Sequence, residues 1–227
     1  MIEVAIGDEV WEAVVTMPTA CPLCKAIAQA RWREIDQARQ GVLTKWLGSN
    51  ECPDIEVEHL PEGVDVGSVM RVYSHLKRLL EECPRAVPKG GIRLSFRPMG
   101  RNEFAEWIEA EHRLNLSPRW FGSQSGLTNL ERRLLRLERE GASPKGCHTP
   151  EYVVTHEYGH CLRHRLSGPR YAHWWSGANK DGLGVEGGES YSEGFAEGFS
   201  VTRHVPPEQW PQAVRSLDAM LREDGVR

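Results

Sequence analysis

Apolar and polar positions recur along the chain with two periods, one near 3.6 and one of 2, and the changes between them mark out the elements. Cys24–Gln40 is a charged amphipathic stretch that predicts a helix ending at Gly41. Asn50–Gly67 sets prolines and glycines around acidic residues and reads as a linker. The chain is therefore expected to divide into an N-terminal accessory segment (1–50), a linker (51–67) and a main domain (68–227). Val69, Tyr73, Leu76, Leu80 and Cys83 step by three and four, the stripe of a helix buried on one side. Ile92, Leu94 and Phe96 alternate with polar neighbours as a short strand. Farther on, Ile108, Ala110, His112, Leu114 and Leu116 alternate with Trp107, Glu109, Glu111, Arg113 and Asn115. That predicts one strand with a charged face, near a sheet edge, and His112 on its apolar face as a core histidine.

Thr128–Glu131 (TNLE) has the form of a capping box, and Leu127, Leu130, Leu134 and Leu137 supply the inward stripe of a helix before Gly141. The next helix is bounded at both ends. Thr149 is placed as N-cap, Pro150 as first helical residue and Glu151 in the first turn, while Ser167-Gly168-Pro169 follows Leu166 as a stop. Ser176–Gly188 is glycine-rich and reads as a flexible loop beside a cleft. Tyr191–Ser200 and a last helix carrying Trp210, Val214, Leu217 and Leu221 complete the pattern. The class is α+β: a small mixed sheet among helices, behind a mainly helical N-terminal segment.

The bounded helix contains His156-Glu157-Tyr158-Gly159-His160, the pattern HExxH. Histidines four apart lie on one helical face, so both imidazoles reach a single metal ion, and the intervening glutamate stands where it takes a proton from an activated water. HExxH by itself also recurs in unrelated sequences as a chance pair on an ordinary helix. Catalytic zinc usually takes three protein ligands. The extended pattern with a glycine and a third histidine on the same stretch is excluded by Arg163 and Leu166. In Tyr191–Ser200 (YSEGFAEGFS), Tyr191, Phe195 and Phe199 form one stripe, and Glu193 with Glu197 an adjacent one. Spacing alone leaves Glu193 and Glu197 both open as third ligand. Gly194 and Gly198 stack as well, each costing about 1 kcal/mol against alanine, which is repaid if a neighbouring helix approaches closely.

HExxH followed by a helix with ExxxE resembles the gluzincin branch of zinc metallopeptidases. SEGFAEGF in particular is similar to the corresponding segment of anthrax-lethal-factor-like peptidases and of metallopeptidase domains in phage head proteins and toxins. The resemblance covers His156–Ser200 and implies a zincin-like domain with His156, His160 and Glu193 as ligands of one catalytic Zn2+. It makes Glu157 the general base and Glu197 the acid that accepts a hydrogen bond from a ligating histidine, with Glu197 retained as rival ligand. That family steadies the developing oxyanion with a tyrosine whose offset here falls on Glu186, so Tyr171, His173 and Tyr191 are the available donors. His164 is expected at the surface or behind a ligand. Trp11–Ile27 (WEAVVTMPTACPLCKAI) resembles a short segment of Mu F-like phage head-morphogenesis domains.

At 227 residues and 40% hydrophobic, the chain can bury one sizeable core with a small appended lobe. A net charge of −4 gives no nucleic-acid footprint. Apolar runs are only a few residues long, so neither a membrane span nor a secretory segment is expected. The expected location is cytoplasmic or virion-associated. The six cysteines are scattered. Cys21 and Cys24 form a CxxC that raises a second, structural Zn2+, with Cys52 and Cys83 to complete it, but no second CxxC follows and the site is disfavoured. The expected activity is hydrolysis of a peptide or protein substrate, with a phage particle as potential partner. The competing reading is a virion or accessory protein in which zinc only stabilises the fold. A metal-free binding module requires both motifs to be accidents.

Overall fold

The computed structural model describes residues 22–60, 64–166 and 168–226. The chain divides into two units, Met1–Glu51 and Cys52–Arg227. In the first, α1 (Pro22–Ser49) runs straight through the expected stop at Gly41. A glycine ends a helix when it turns left-handed, and Gly41 does not. Residues 11–21 of the phage-like segment, and with them Cys21 of the CxxC pair, lie outside the described residues.

The second unit contains β1 (Ile55–His59), α2 (Val66–Glu82), β2 (Ile92–Phe96), β3 (Ala105–Ile108), β4 (Arg113–Leu116), α3 (Pro118–Phe121) and α4 (Gln124–Arg139). It continues with α5 (Pro150–Arg165), α6 (Pro169–Gly177), α7 (Gly184–Glu189), α8 (Tyr191–His204) and α9 (Gln212–Glu223). It is an α+β unit, mostly helical. The four strands form one mixed sheet in the order β1-β2-β4-β3, with β1–β2 and β2–β4 parallel and β3–β4 antiparallel. No helix among the described residues is long and apolar enough to cross a membrane.

Four expectations are corrected. The linker contains β1, whose acidic residues are the outward face of a strand: Glu58 pairs with Arg113 at 2.8 Å and Arg93 at 3.4 Å, while Ile55 is buried. The single strand over Trp107–Leu116 is a hairpin. Its turn is a 3₁₀ segment, Glu109–Glu111, and His112 takes the left-handed conformation at φ 48°. With no glycine or proline at the turn, the alternation read as continuous, and His112 is half-buried at the corner instead of in the core. Helix α4 starts at Ser123, which accepts from the Gly126 N–H, and Thr128 bonds back to the Gln124 carbonyl inside the helix. The glycine-rich Ser176–Gly188 is partly helical, ending α6 and entering α7, because buried Leu183 and Gly187 tie it to α8.

The core lies between the sheet and α2, α5 and α8. Val69, Tyr73, Leu76 and Leu80 face inward from α2, and Ile92, Leu94, Phe96, Leu114 and Leu116 from the sheet. Helix α5 is buried on nearly every side, which makes it the central element. Its polar residues there need partners. Thr155 donates to the Glu151 carbonyl (2.8 Å) and stands 2.8 Å from His75 Nε2 and 2.9 Å from His204 Nε2, filling its bonding capacity. Arg71 of α2 grips the Glu151 carboxylate at 2.5 and 2.9 Å, fastening α2 to the start of α5.

Glycines set the close packing of α8 against α5, α6 and α9. A Cβ on Gly159 would stand 2.8 Å from the Ala196 Cα, one on Gly198 would stand 2.8 Å from Leu217 of α9, and one on Gly194 would strike the Trp175 ring. The glycines read in the sequence as marks of close approach have this use.

Gly159→Ala is expected to lower Tm. Alanine gains about 1 kcal/mol of helix propensity, but overpacking against backbone costs about 1–3 kcal/mol, and the obstacle is a main-chain atom. Gly41→Ala, with nothing within 4 Å, is expected to raise helix stability. Burial pushes His75 and His204 down to about 4 from 6.5. The unfolded chain therefore binds more protons between those values. Stability is full above about pH 6.5 and falls as pH drops toward 4. Thermal melts across that window check this, with a flatter profile expected for His75→Gln.

Candidate metal centre

Thr149 caps α5 by accepting the Tyr152 N–H at 3.3 Å, and Ser190 caps α8 by accepting the Glu193 N–H at 3.2 Å. With both starts set and the helices in contact at Gly159 and Ala196, the polar stripes of α5 and α8 meet. His156 Nε2 lies 3.2 Å from Glu193 Oε2 and 3.2 Å from His160 Nε2, and His160 Nε2 lies 3.6 Å from the same Glu193 oxygen. Among the described residues this is the one group of three side chains gathered closely enough to hold a metal ion.

The donor set fits zinc. Ligands at 2.0–2.1 Å in a tetrahedron stand about 3.3 Å from one another, and the three atoms here span 3.2–3.6 Å. The two imidazole nitrogens face each other across 3.2 Å, a spacing that suits two ligands of one ion and that an N–H···N hydrogen bond also allows. The other ring nitrogen of His160, Nδ1, lies 3.0 Å from Ser192 Oγ, a hydroxyl able to accept from Nδ1–H in the tautomer whose Nε2 can ligate. His156 Nδ1 is buried, has no hydrogen-bond partner, and lies 3.8 Å from Glu197 Oε2.

Charge in the cluster is balanced internally. Contact with His156 and His160 holds the Glu193 carboxyl well below the usual carboxylate range. Burial pulls His156 down, but Glu193 and Glu197 outweigh it and leave the imidazole well above its ordinary value. Burial lifts the Glu157 carboxyl above its ordinary value, against the pull of His156 and His160.

The group opens on a cleft of about 590 Å³ lined by Ala105, Glu106 and Trp107 of β3, by Glu157, and by Arg163 and His164 on the rim. Set against known proteins, the chain matches no family model, no curated protein and no solved structure. The site is therefore read from its own geometry.

Of the residues singled out in the sequence, His156, Glu157, His160 and Glu193 line this one cleft. Glu197 lies behind the ligand group, on the far side of the His156 ring, and is not part of the triplet. His164 sits at the half-exposed rim, 2.6 Å from Arg163. Tyr171 and His173 are not brought there. The Tyr171 hydroxyl donates to Asp224 in a buried corner against Phe195, and His173 is exposed on a separate groove with Gln212 and Ser216. Both fall on α6, which packs against α8 and α9 instead of flanking α5. Tyr191 has a buried hydroxyl without a hydrogen-bond partner and lies under the Arg163 guanidinium, 5.7 Å from its ring centre.

Sequence reading missed Ser192 and Tyr152. Ser192 carried no signal beyond adjacency to Glu193. Tyr152 did carry one: it stands four residues before His156, on the same helical face.

One equivalent of Zn2+ per chain is expected to bind and to be lost in His156→Ala, by elemental analysis after dialysis. Binding only to the folded state adds about 2.7 kcal/mol at a hundredfold excess over Kd, so chelation should lower Tm in the wild type and leave His156→Ala unmoved.

Proposed function

We propose that the chain is a zinc-dependent peptidase of the zincin type. The observation that carries the reading is the convergence of His156, His160 and Glu193 on one point with the Glu157 carboxyl in the same cleft. A Zn2+ ion on those three ligands supplies Lewis-acid activation of a water and of the scissile carbonyl.

The remaining steps belong to the chain's own residues. Strand β3 is an edge of the sheet and lines the cleft. An extended peptide adds beside it through main-chain hydrogen bonds, which orients the substrate across the ligand group. Glu157, on α5 between the two histidines, takes a proton from the water as its oxygen attacks the carbonyl carbon. Glu157 then passes that proton to the amine nitrogen as the C–N bond breaks. Arg163 and His164, which line the same cleft, are side-chain donors available to a developing oxyanion, in the role that Tyr171 and His173 do not reach. A phage-particle setting for this activity rests on the short Trp11–Ile27 segment.

The second reading, a zinc-stabilised structural protein, is favoured by one observation: neither α6 residue nominated as an oxyanion donor reaches the cleft. The two readings separate on Glu157. Glu157→Gln is expected to keep one Zn2+ and to lose about 10²- to 10⁴-fold in turnover on a peptide library. Wild-type protein that is loaded with zinc yet cleaves nothing, or a variant as active as the wild type, would remove the peptidase reading.

A further inference from the structure

The Tyr152 hydroxyl donates to Glu197 Oε2 at 2.5 Å. The same oxygen lies 3.8 Å from His156 Nδ1, and that nitrogen is buried with no hydrogen-bond partner. Tyr152 and His156 lie one turn apart on α5, with ring centres 6.3 Å apart, while Glu197 comes from α8. One carboxylate oxygen therefore stands between a phenol that already holds it and an imidazole nitrogen that lacks a partner.

Glu197 has little freedom to be elsewhere. It is 2% exposed, and on α7 a Cβ added to Gly187 would come within 3.0 Å of the Glu197 Cγ. The backbone of α7 is thus laid directly on the stem of this side chain. A shift of well under 1 Å brings Oε2 into hydrogen-bond range of His156 Nδ1, and the hydroxyl of Tyr152 limits the oxygen to that range of positions.

We propose that Tyr152 is a positioning residue for the metal centre: acting through Glu197, it fixes the ring of His156 with Nδ1–H toward the carboxylate and Nε2 toward the ligand group. The role rests on His156 being a ligand. It does not require Tyr152 to touch substrate or metal. A tyrosine that merely fills the core would contribute to stability and leave metal affinity alone, so affinity is the deciding quantity.

The test is a double-mutant cycle on Tyr152→Phe and Glu197→Gln in the full chain. Zn2+ affinity is read by competition with a chromogenic chelator, and coordination by the visible absorption of the Co2+-substituted protein. Melting of the metal-free proteins is followed in parallel. Tyr152→Phe is expected to weaken Zn2+ about tenfold or more, to alter the Co2+ spectrum, and to add nothing to the loss in Glu197→Gln, because the two act as one unit. Wild-type affinity in Tyr152→Phe, or losses that simply add, would overturn the role and leave the metal site standing. Wild-type protein that takes up neither Zn2+ nor Co2+ would remove the metal site itself and the role with it.

Discussion

The contact on which the rest of the second unit depends is the approach of α5 to α8 at Gly159 and Ala196. No side chain separates the two backbones there: a Cβ on Gly159 would sit 2.8 Å from a main-chain carbon. That closeness brings a carboxylate on α8 to within 3.2 Å of an imidazole on α5. Ordinary helix pairs stand 8–10 Å apart, axis to axis, on larger residues. At the wide end of that range, Glu193 would fall short of both histidines. The glycine inside HEYGH thus contributes as much to the site as the residues that carry charge.

Polar groups also lie in the interior around α5, and three of them are answered by a neighbour. Thr155, beside His156, is saturated by the Glu151 carbonyl and two histidines. Glu151 is held by Arg71. Glu197 is held by Tyr152. These bonds run from α2 and the end of α8 into α5 and clamp the central helix from its back, while its front carries the ligand group. Rigidity behind a site is what lets ligand atoms stay converged, since a half-satisfied buried network would let the helix rotate. Strand β3 lines the cleft opposite, through Ala105, Glu106 and Trp107.

Helix ends were legible at α5, while local rules misplaced the end of α1 at Gly41 and the start of α4 at Thr128. Thr149, Pro150 and Glu151 start α5 as their types require, and the ligand triplet follows from spacings of four on two helices. Where a turn lacked its usual residues, local rules failed: His112 turns left-handed without being glycine, and the hairpin was read as one strand. They also failed at β1, whose acidic residues looked like linker until Arg93 and Arg113 on neighbouring strands gave them partners. The donors proposed on α6 were misplaced for a related reason. Nothing in the spacing of Tyr171 and His173 says on which side of α8 their helix will pack.

By itself, then, the sequence determined which side chains are neighbours along each helix: two histidines one turn apart with a glutamate beside the first, and two acids a turn apart on another helix. These follow from the period of the α-helix, a property of the chain over a few residues. Only the tertiary structure separated Glu193 from Glu197, because their places relative to the histidines depend on the angle and depth at which α8 meets α5. It set Glu193 beside His156 and His160, and Glu197 behind the His156 ring with Tyr152. Two positions four apart are equivalent on a free helix and cease to be so once a second backbone is pressed against one of them.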